Sequence, residues 1–341
     1  MKKYLLDIHK NIYTLKIILF TIVILFTVSS CQRNNNNRII YAHGQYGDII
    51  VVMTDERWNS ESGDALRNIF GDNYKGVPME EDIMDMHPVN YADFGKINKY
   101  HKNIIYQEVD SNLEKSTFSI IYNKFAENQV LVLFKVKSQT DFVNLVNNNK
   151  EKLLETFLNA DRERWQKQLL KYTNQSITNT LLNKYDISIK IPKGYKLDVE
   201  DENFAWISKE TQKHAMNIIV YTYPITEESD FDANYLIRMR DANAKKNLPG
   251  QLKGSYMITE IEFEYPSLKI IEQNYSPTAV LQGLWKMEND FMGGGFISYT
   301  KKDEARNRYV TVEGFVYSPN EAMRDQIRQL EGILHTFDIT K

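Results

Sequence analysis

The sequence has very little cysteine and no excess of positive charge. Cys31 is the only cysteine among 341 residues, so no disulfide can form within the chain. The formal net charge is −3. A chain with this charge offers no basic stripe for nucleic acid, and we expect no nucleic-acid partner.

Long apolar runs are lacking as well. The uncharged run at residues 17–28 has twelve residues, whereas a membrane-spanning helix needs about 20. Lys2, Lys3, Lys10 and Lys16 precede the run, and small residues follow it. This order is typical of a secretory signal peptide.

The end of the apolar run carries a second signal. Val28-Ser29-Ser30-Cys31 resembles the bacterial lipobox. The resemblance implies that residues 1–30 are cleaved off and that Cys31 is acylated, which would leave no thiol for a metal site or a catalytic nucleophile. Stable anchoring needs at least two acyl chains. The alternative is an uncleaved signal anchor with a chance cysteine.

Residues 31–38 comprise Cys31, which the lipobox resemblance implies is acylated, and a polar, asparagine-rich stretch that is typical of a flexible tether. No acidic residue follows Cys31 closely, either as the aspartate typical of inner-membrane retention or as the acidic stretch typical of surface export. We therefore expect an outer-membrane lipoprotein that faces the periplasm, with the cell surface as the alternative.

The mature chain has the size of two domains. Loss of residues 1–30 removes four lysines and one aspartate, which leaves 311 residues and a net charge of −6. Domains usually have about 100–200 residues. The patterns predict an α+β fold with two antiparallel-sheet-plus-helix subdomains, at residues 39–184 and 185–341.

Strand and helix patterns alternate in the first half. A strand pattern at 48–53 precedes a helical pattern at 62–70, and no glycine-rich phosphate-binding fingerprint connects them. Strand patterns at 103–109, 117–123 and 129–134 are separated by short polar breaks typical of hairpins. An amphipathic helical stripe then runs from Ser138 to Tyr172, with a break at 147–149, and is typical of a helix that covers a sheet.

The loop-like stretch at 71–102 contains a cluster of potential metal ligands. Carboxylates and an imidazole can bind a divalent cation. The candidates are Glu80, Glu81, Asp82, Asp85 and His87. Their spacing matches no standard ligand pattern, so a solvated acidic loop is the competing interpretation, and we expect no cofactor.

The second half begins with strand patterns followed by a predicted helix. A strand pattern at 185–191 ends in Pro192-Lys193-Gly194, further strand patterns follow at 204–208 and 216–223, and a helix is predicted at 231–246. This order resembles the PsbP-like α+β sandwich over about 60 residues, which implies a fold only. Later strand patterns with polar turns predict an antiparallel meander.

Two further features stand near the end of the chain. Gly293, Gly294 and Gly295 allow a close backbone approach, so with Trp285 they are candidates for a ligand site between the two halves. A hairpin or bulge is the alternative. The stretch 318–321 has the residues of a capping box and predicts a C-terminal helix that begins there.

Several stretches resemble an uncharacterised lipoprotein family of Bacteroidota-type bacteria. In the first half they are GDIIVVM at 47–53, Trp58, GDALR at 63–67 and NII at 103–105. In the second half they are RDAN at 240–243, LPG at 248–250, GSYM at 254–257, GLW at 283–285, MGGGF at 292–296 and EGFVYSP at 313–319. The resemblance implies membership and no activity.

Three functions are compatible with the sequence. The leading hypothesis is a non-enzymatic lipoprotein that is attached to the membrane by its acyl chains and binds or scaffolds an envelope protein or component. The second is an envelope hydrolase with a carboxylate or histidine site, although no Ser-His-Asp motif surrounds His87, His101 or His214. The third is a small-ligand binding protein. No catalytic residue is assigned.

Overall fold

The computed structural model describes residues 39–95, 97–226 and 231–340. The predicted signal peptide, Cys31 and the tether lie outside these described residues. The described residues from Tyr41 onward form one compact unit. Within the described ranges, no helix has the length and apolar character needed to cross a bilayer.

The strands are numbered β1 to β15 in chain order. The first half contains β1 (Asp48–Val52), β2 (Asp85–Val89), β3 (Asn103–Val109), β4 (Thr117–Tyr122) and β5 (Val130–Val136). The second half contains β6 (Ile187–Ser188), β7 (Lys196–Glu200), β8 (Phe204–Glu210), β9 (Ala215–Pro224), β10 (Tyr256–Glu260), β11 (Ser267–Gln273), β12 (Ser276–Glu288), β13 (Gly293–Asp303), β14 (Arg308–Tyr317) and β15 (Asp338–Ile339).

Seven α-helices connect or cover these strands in the described ranges. They are α1 (Asp55–Trp58), α2 (Glu61–Phe70), α3 (Gln139–Asn148), α4 (Lys150–Leu169), α5 (Gln175–Tyr185), α6 (Ala233–Asn247) and α7 (Arg324–Leu334). The break between α3 and α4 falls at Asn149, as the sequence predicted. The α+β class is confirmed.

The first sheet differs from the prediction. It has five strands in the order β2-β1-β3-β5-β4, and only β4 runs antiparallel to its neighbour. The prediction of an antiparallel first sheet is therefore wrong, as is a hairpin between β3 and β4. Both faces of β1, β3 and β5 are covered, which is why these strands are apolar at consecutive positions, a pattern typical of parallel sheets.

The second sheet is antiparallel, as predicted. Its eight strands include the path β10-β12-β13-β14-β9-β8-β7, and β11 pairs with the other half of the long strand β12. One face packs on α5 and α7, and the opposite face packs on α6. Helix α5 thus lies in the core of the second sheet. The domain boundary at 184/185 stays a prediction.

The C-terminal helix begins later than the sequence predicted. Helix α7 starts at Arg324, and Ser318 Oγ makes no hydrogen bond in the described residues. The carboxylate of Glu81 accepts hydrogen bonds from the Met323 and Arg324 amides, at 2.7 and 3.2 Å from Oε1. The capping box at Ser318 is therefore wrong, because a side chain from the first half caps this helix instead.

Candidate functional site

An open pocket of about 560 Å³ lies on the face of the second sheet that packs on α6. Helix α6 covers one part of this face with Tyr235, Leu236 and Ala244. The pocket occupies the neighbouring part, where β8, β9, β12 and β14 approach one end of the sheet. Its apolar wall is formed by Trp206, Leu248, Pro249, Met257, Trp285, Met287, Met292, Phe315, Tyr317 and Pro319.

The aromatic rings of the wall support one another. The Phe315 ring lies 6.3 Å from the Trp206 ring and 5.7 Å from the Trp285 ring, the latter edge to face. The Tyr317 ring lies 6.3 Å from that of Trp285. Such packing holds the wall in place, while the flexible methionine side chains let it adapt to different apolar shapes.

The polar atoms of the two tryptophans are already used inside the protein. Trp285 Nε1 donates to Val316 O at 3.1 Å, and Trp206 Nε1 donates to Asn217 Oδ1 at 2.9 Å. Neither indole N–H is left for a ligand. Contact with the two tryptophans therefore favours apolar surface on a ligand, since a buried polar group without a partner is costly.

The mouth of the pocket is polar. Residues 210–214 form one side, where the Thr211 hydroxyl accepts from the His214 amide at 3.1 Å. Burial lowers the pKa of His214, and Lys209 and Lys213 lower it further. Lys213 Nζ lies 3.2 Å from Glu321 Oε1. The site thus combines an apolar interior with a charged edge.

A buried ion pair lies beside the pocket, beneath α6. Arg240 donates to both carboxylate oxygens of Glu313, at 2.9 and 2.8 Å, and to Thr259 Oγ1 at 2.9 Å. Its Nη2 also lies 3.4 Å from Met257 Sδ. Burial raises the pKa of Glu313, and the nearby guanidinium opposes that rise. Arg240 thus connects this ion pair to Met257 of the pocket wall.

Two residues that the sequence singled out line this pocket: Trp285 of the ligand-site hypothesis and His214 of the hydrolase hypothesis. Trp285 lies in its wall, whereas Gly293, Gly294 and Gly295 are paired in strand β13 and do not line it. A Cβ at Gly294 would lie 2.0 Å from Val316 O, and one at Gly295 would lie 2.3 Å from Gly76 O. These two glycines allow close packing. Gly295 meets the first half of the chain on the sheet face opposite the pocket.

The other wall residues could not be grouped from the sequence. Trp206, Met257, Met287 and Phe315 come from four strands. The available signal was the alternation of large apolar residues along these strands, but the same alternation continues beneath α6. Which part of the face stays open depends on where α6 ends.

The predicted metal ligands are spread out. Glu80 is exposed, and Glu81 caps α7. Asp85 Oδ2 lies 2.7 Å from Arg324 Nη2. In the part of the chain that the structure describes, no group of three His, Cys, Asp or Glu side chains is placed to hold a metal ion.

The two remaining candidate metal ligands, Asp82 and His87, also have protein neighbours. The Asp82 carbonyl accepts from Arg324 Nη1 at 2.6 Å, while burial, followed by the charge of Asp85, raises the pKa of its carboxyl group. His87 Nε2 lies 3.3 Å from Asp48 Oδ1, with 51% of the His87 side chain exposed. This last pair lies on the open surface rather than in a cleft.

Comparison with known proteins assigns no activity. Residues 174–336 match the family described as Domain of unknown function (DUF4837), and residues 42–170 match Domain of unknown function (DUF8532). The two matches support an uncharacterised family. No curated protein matches the sequence.

Solved structures give partial likenesses. The Ran-binding protein Mog1p of Saccharomyces cerevisiae is 10% identical over 46% of this chain and 91% of its own, with a TM-score of 0.31. LpqN of Mycobacterium tuberculosis, involved in cell envelope biogenesis, is 12% identical over 46% of this chain and 83% of its own, with a TM-score of 0.27.

Proposed function

We propose that this protein is a lipid-anchored, non-enzymatic binding protein that holds an apolar ligand in the pocket beside α6. The anchor is Cys31 of the lipobox, as in the lipoprotein family that the sequence resembles, and the location is the periplasmic face of the outer membrane. The cell surface is the alternative location.

The composition of the pocket wall carries this proposal. Its volume of about 560 Å³ falls within the range of about 300–1,000 Å³ that is usual for small-molecule sites. Because both indole N–H groups are paired within the protein, the interior favours apolar matter over polar ligands. Each 100 Å² of apolar ligand surface that is buried there contributes about 2.5 kcal/mol before the cost of association.

Binding of an apolar probe tests the pocket. The test protein is the chain from residue 31 onward with Cys31→Ser, titrated with the neutral fluorophore N-phenyl-1-naphthylamine. Ala215 lines the pocket at the start of β9, so Ala215→Phe should fill part of it and weaken probe binding at least about 10-fold. Ala305→Phe, on an exposed turn, is the matched control and should bind as the parent does.

Equal affinities of the parent and the Ala215→Phe variant would place the probe elsewhere and contradict the proposal. Thermal unfolding of both variants shows whether a weaker affinity comes from a blocked pocket or from a damaged fold. Release of the bound probe by a candidate ligand then identifies the natural class of ligand.

Mass spectrometry of the N-terminal peptide tests the anchor. We expect a peptide that begins at Cys31 and carries a diacylglyceryl group with palmitate-type chains. The Cys31→Ser chain should lose this modification and leave the membrane fraction. An unmodified N-terminus at Met1 would contradict the lipoprotein assignment.

A further inference from the structure

Two exposed apolar side chains stand at the end of the second sheet where the pocket opens. Phe291, in the turn between β12 and β13, is 103% exposed, and Leu252, in the turn before β10, is 53% exposed. Tyr256 pairs with Glu288 across β10 and β12, so these two turns lie side by side at the same end of the sheet.

Both side chains directly follow or precede residues of the pocket. Met292 and Gln251 line it, and they are the chain neighbours of Phe291 and Leu252. The turns are well built: Met287 N donates to Met292 O at 2.8 Å, and Gly250 N donates to Ser255 O at 2.9 Å. Phe291 and Leu252 therefore project from hydrogen-bonded turns beside the pocket, and these two side chains are called the tip below.

Exposed lysines lie next to the tip. Lys245 and Lys246 end helix α6, and Lys253 follows Leu252. Lys245 Nζ lies 4.7 Å from the Tyr256 ring, which places this charge at the same end of the sheet. Glu288 and Asp290 are the acids beside Phe291, and Asp290 Oδ1 accepts from the Phe291 amide at 2.7 Å within its own turn. Glu210 and the Lys213–Glu321 pair lie at the pocket mouth.

The other end of β10 has the opposite charge. Phe263 is 78% exposed in the loop after β10, and Glu262 and Glu264 flank it in the sequence. An anionic surface attracts the lysines beside the tip and repels these two glutamates. Charge thus distinguishes two apolar surfaces that are similarly exposed.

We propose that the tip docks on a bilayer containing anionic phospholipid, with Phe291 and Leu252 entering the interface and the lysines facing the headgroups. Short apolar insertions combined with basic residues are a general means of reversible membrane contact. Docking would bring the pocket mouth to the lipid surface. The idea that docking lets an acyl chain pass into the pocket rests on the proposed function, whereas the docking itself does not.

Vesicle co-sedimentation tests the docking. The chain from residue 31 with Cys31→Ser has no acyl anchor, so any binding comes from the folded protein. We expect it to bind vesicles of phosphatidylcholine mixed with phosphatidylglycerol more strongly than vesicles of phosphatidylcholine alone, and less strongly in high salt. The double variant Leu252→Ser, Phe291→Ser should bind the mixed vesicles at least about 10-fold more weakly.

Phe263→Ser is the matched control and should bind as the parent does. An equal loss for Phe263→Ser, or unchanged binding of the double variant, would overturn the proposal, as would a parent chain that fails to sediment. Ala215→Phe, which fills the pocket, should leave vesicle binding unchanged. Vesicle binding without probe binding would therefore refute the proposed function alone, and probe binding without vesicle binding would refute the docking alone.

Discussion

Substitution of Gly295 tests whether the three glycines at 293–295 serve close packing or contact a ligand. In Gly295→Ala the new Cβ would lie 2.3 Å from Gly76 O and 3.2 Å from Ile327 Cδ1. The first of these contacts is with backbone, which cannot rotate away. The segment around Gly76 must therefore move outward from β13.

That movement strains specific hydrogen bonds. Gly76 N donates to Glu264 Oε1 at 2.9 Å, and Gln282 Nε2 donates to Lys75 O at 2.7 Å. Overpacking costs about 1–3 kcal/mol, and each weakened hydrogen bond adds about 1 kcal/mol. We expect Gly295→Ala to lower the free energy of unfolding by about 2–4 kcal/mol.

Urea unfolding followed by tryptophan fluorescence measures this loss. Gly332→Ala is the control: it lies inside α7, and its Cβ would meet Trp165 Cβ at an ordinary 3.5 Å. Helix propensity alone should make that variant more stable by about 0.5–1 kcal/mol. Glycine to alanine should therefore lower the free energy of unfolding at position 295 and raise it at position 332.

The packing explanation would be refuted by a Gly295→Ala protein that unfolds like the parent. If such a protein also lost binding of the apolar probe, the glycine would contact a ligand, as the sequence hypothesis held. Probe binding should instead be unaffected in the folded fraction, because Gly295 faces away from the pocket.

Two further predictions concern buried or partly buried ionisable groups. Glu313→Gln should lower the free energy of unfolding by about 3–5 kcal/mol because it leaves Arg240 buried without the partner carboxylate. Adding Arg240→Met should restore most of the lost stability in the same urea assay. A Glu313→Gln variant as stable as the parent would contradict this explanation. Burial, with Arg162 and Lys301 nearby, lowers the pKa of His335 from 6.5 to about 4. The unfolded chain binds this proton more readily, so the contribution of His335 to the free energy of unfolding should be fully present above pH 6.5 and be lost as the pH falls towards 4. The loss should be about 1–2 kcal/mol after allowance for partial exposure. The His335→Gln variant should flatten this pH dependence, and an unchanged slope would contradict the assignment.

The sequence predicted what depends on local pattern. The α+β class, the antiparallel second sheet and the helix break at Asn149 all follow from periodicity and polar breaks within a few residues. The parallel order of the first sheet could not be read in this way, because β3 pairs with β5 across the intervening β4.

Long-range partners account for the remaining differences. The acidic stretch around Glu81 suggested a solvated loop or a metal site because its partner Arg324 lies far away in the sequence. The pocket was missed for a similar reason. Trp285 stood out as a large aromatic residue, but its neighbour Phe315, and Trp206 beside Phe315, come from other strands.

The cap that Glu81 provides for α7 makes the first turn of the last helix depend on the first half of the chain. The Met323 and Arg324 amides have this hydrogen-bond acceptor only while the two halves are in contact. The Met323 and Arg324 amides should then exchange with deuterium only when the halves part. Their exchange rate would therefore report how often the two halves separate.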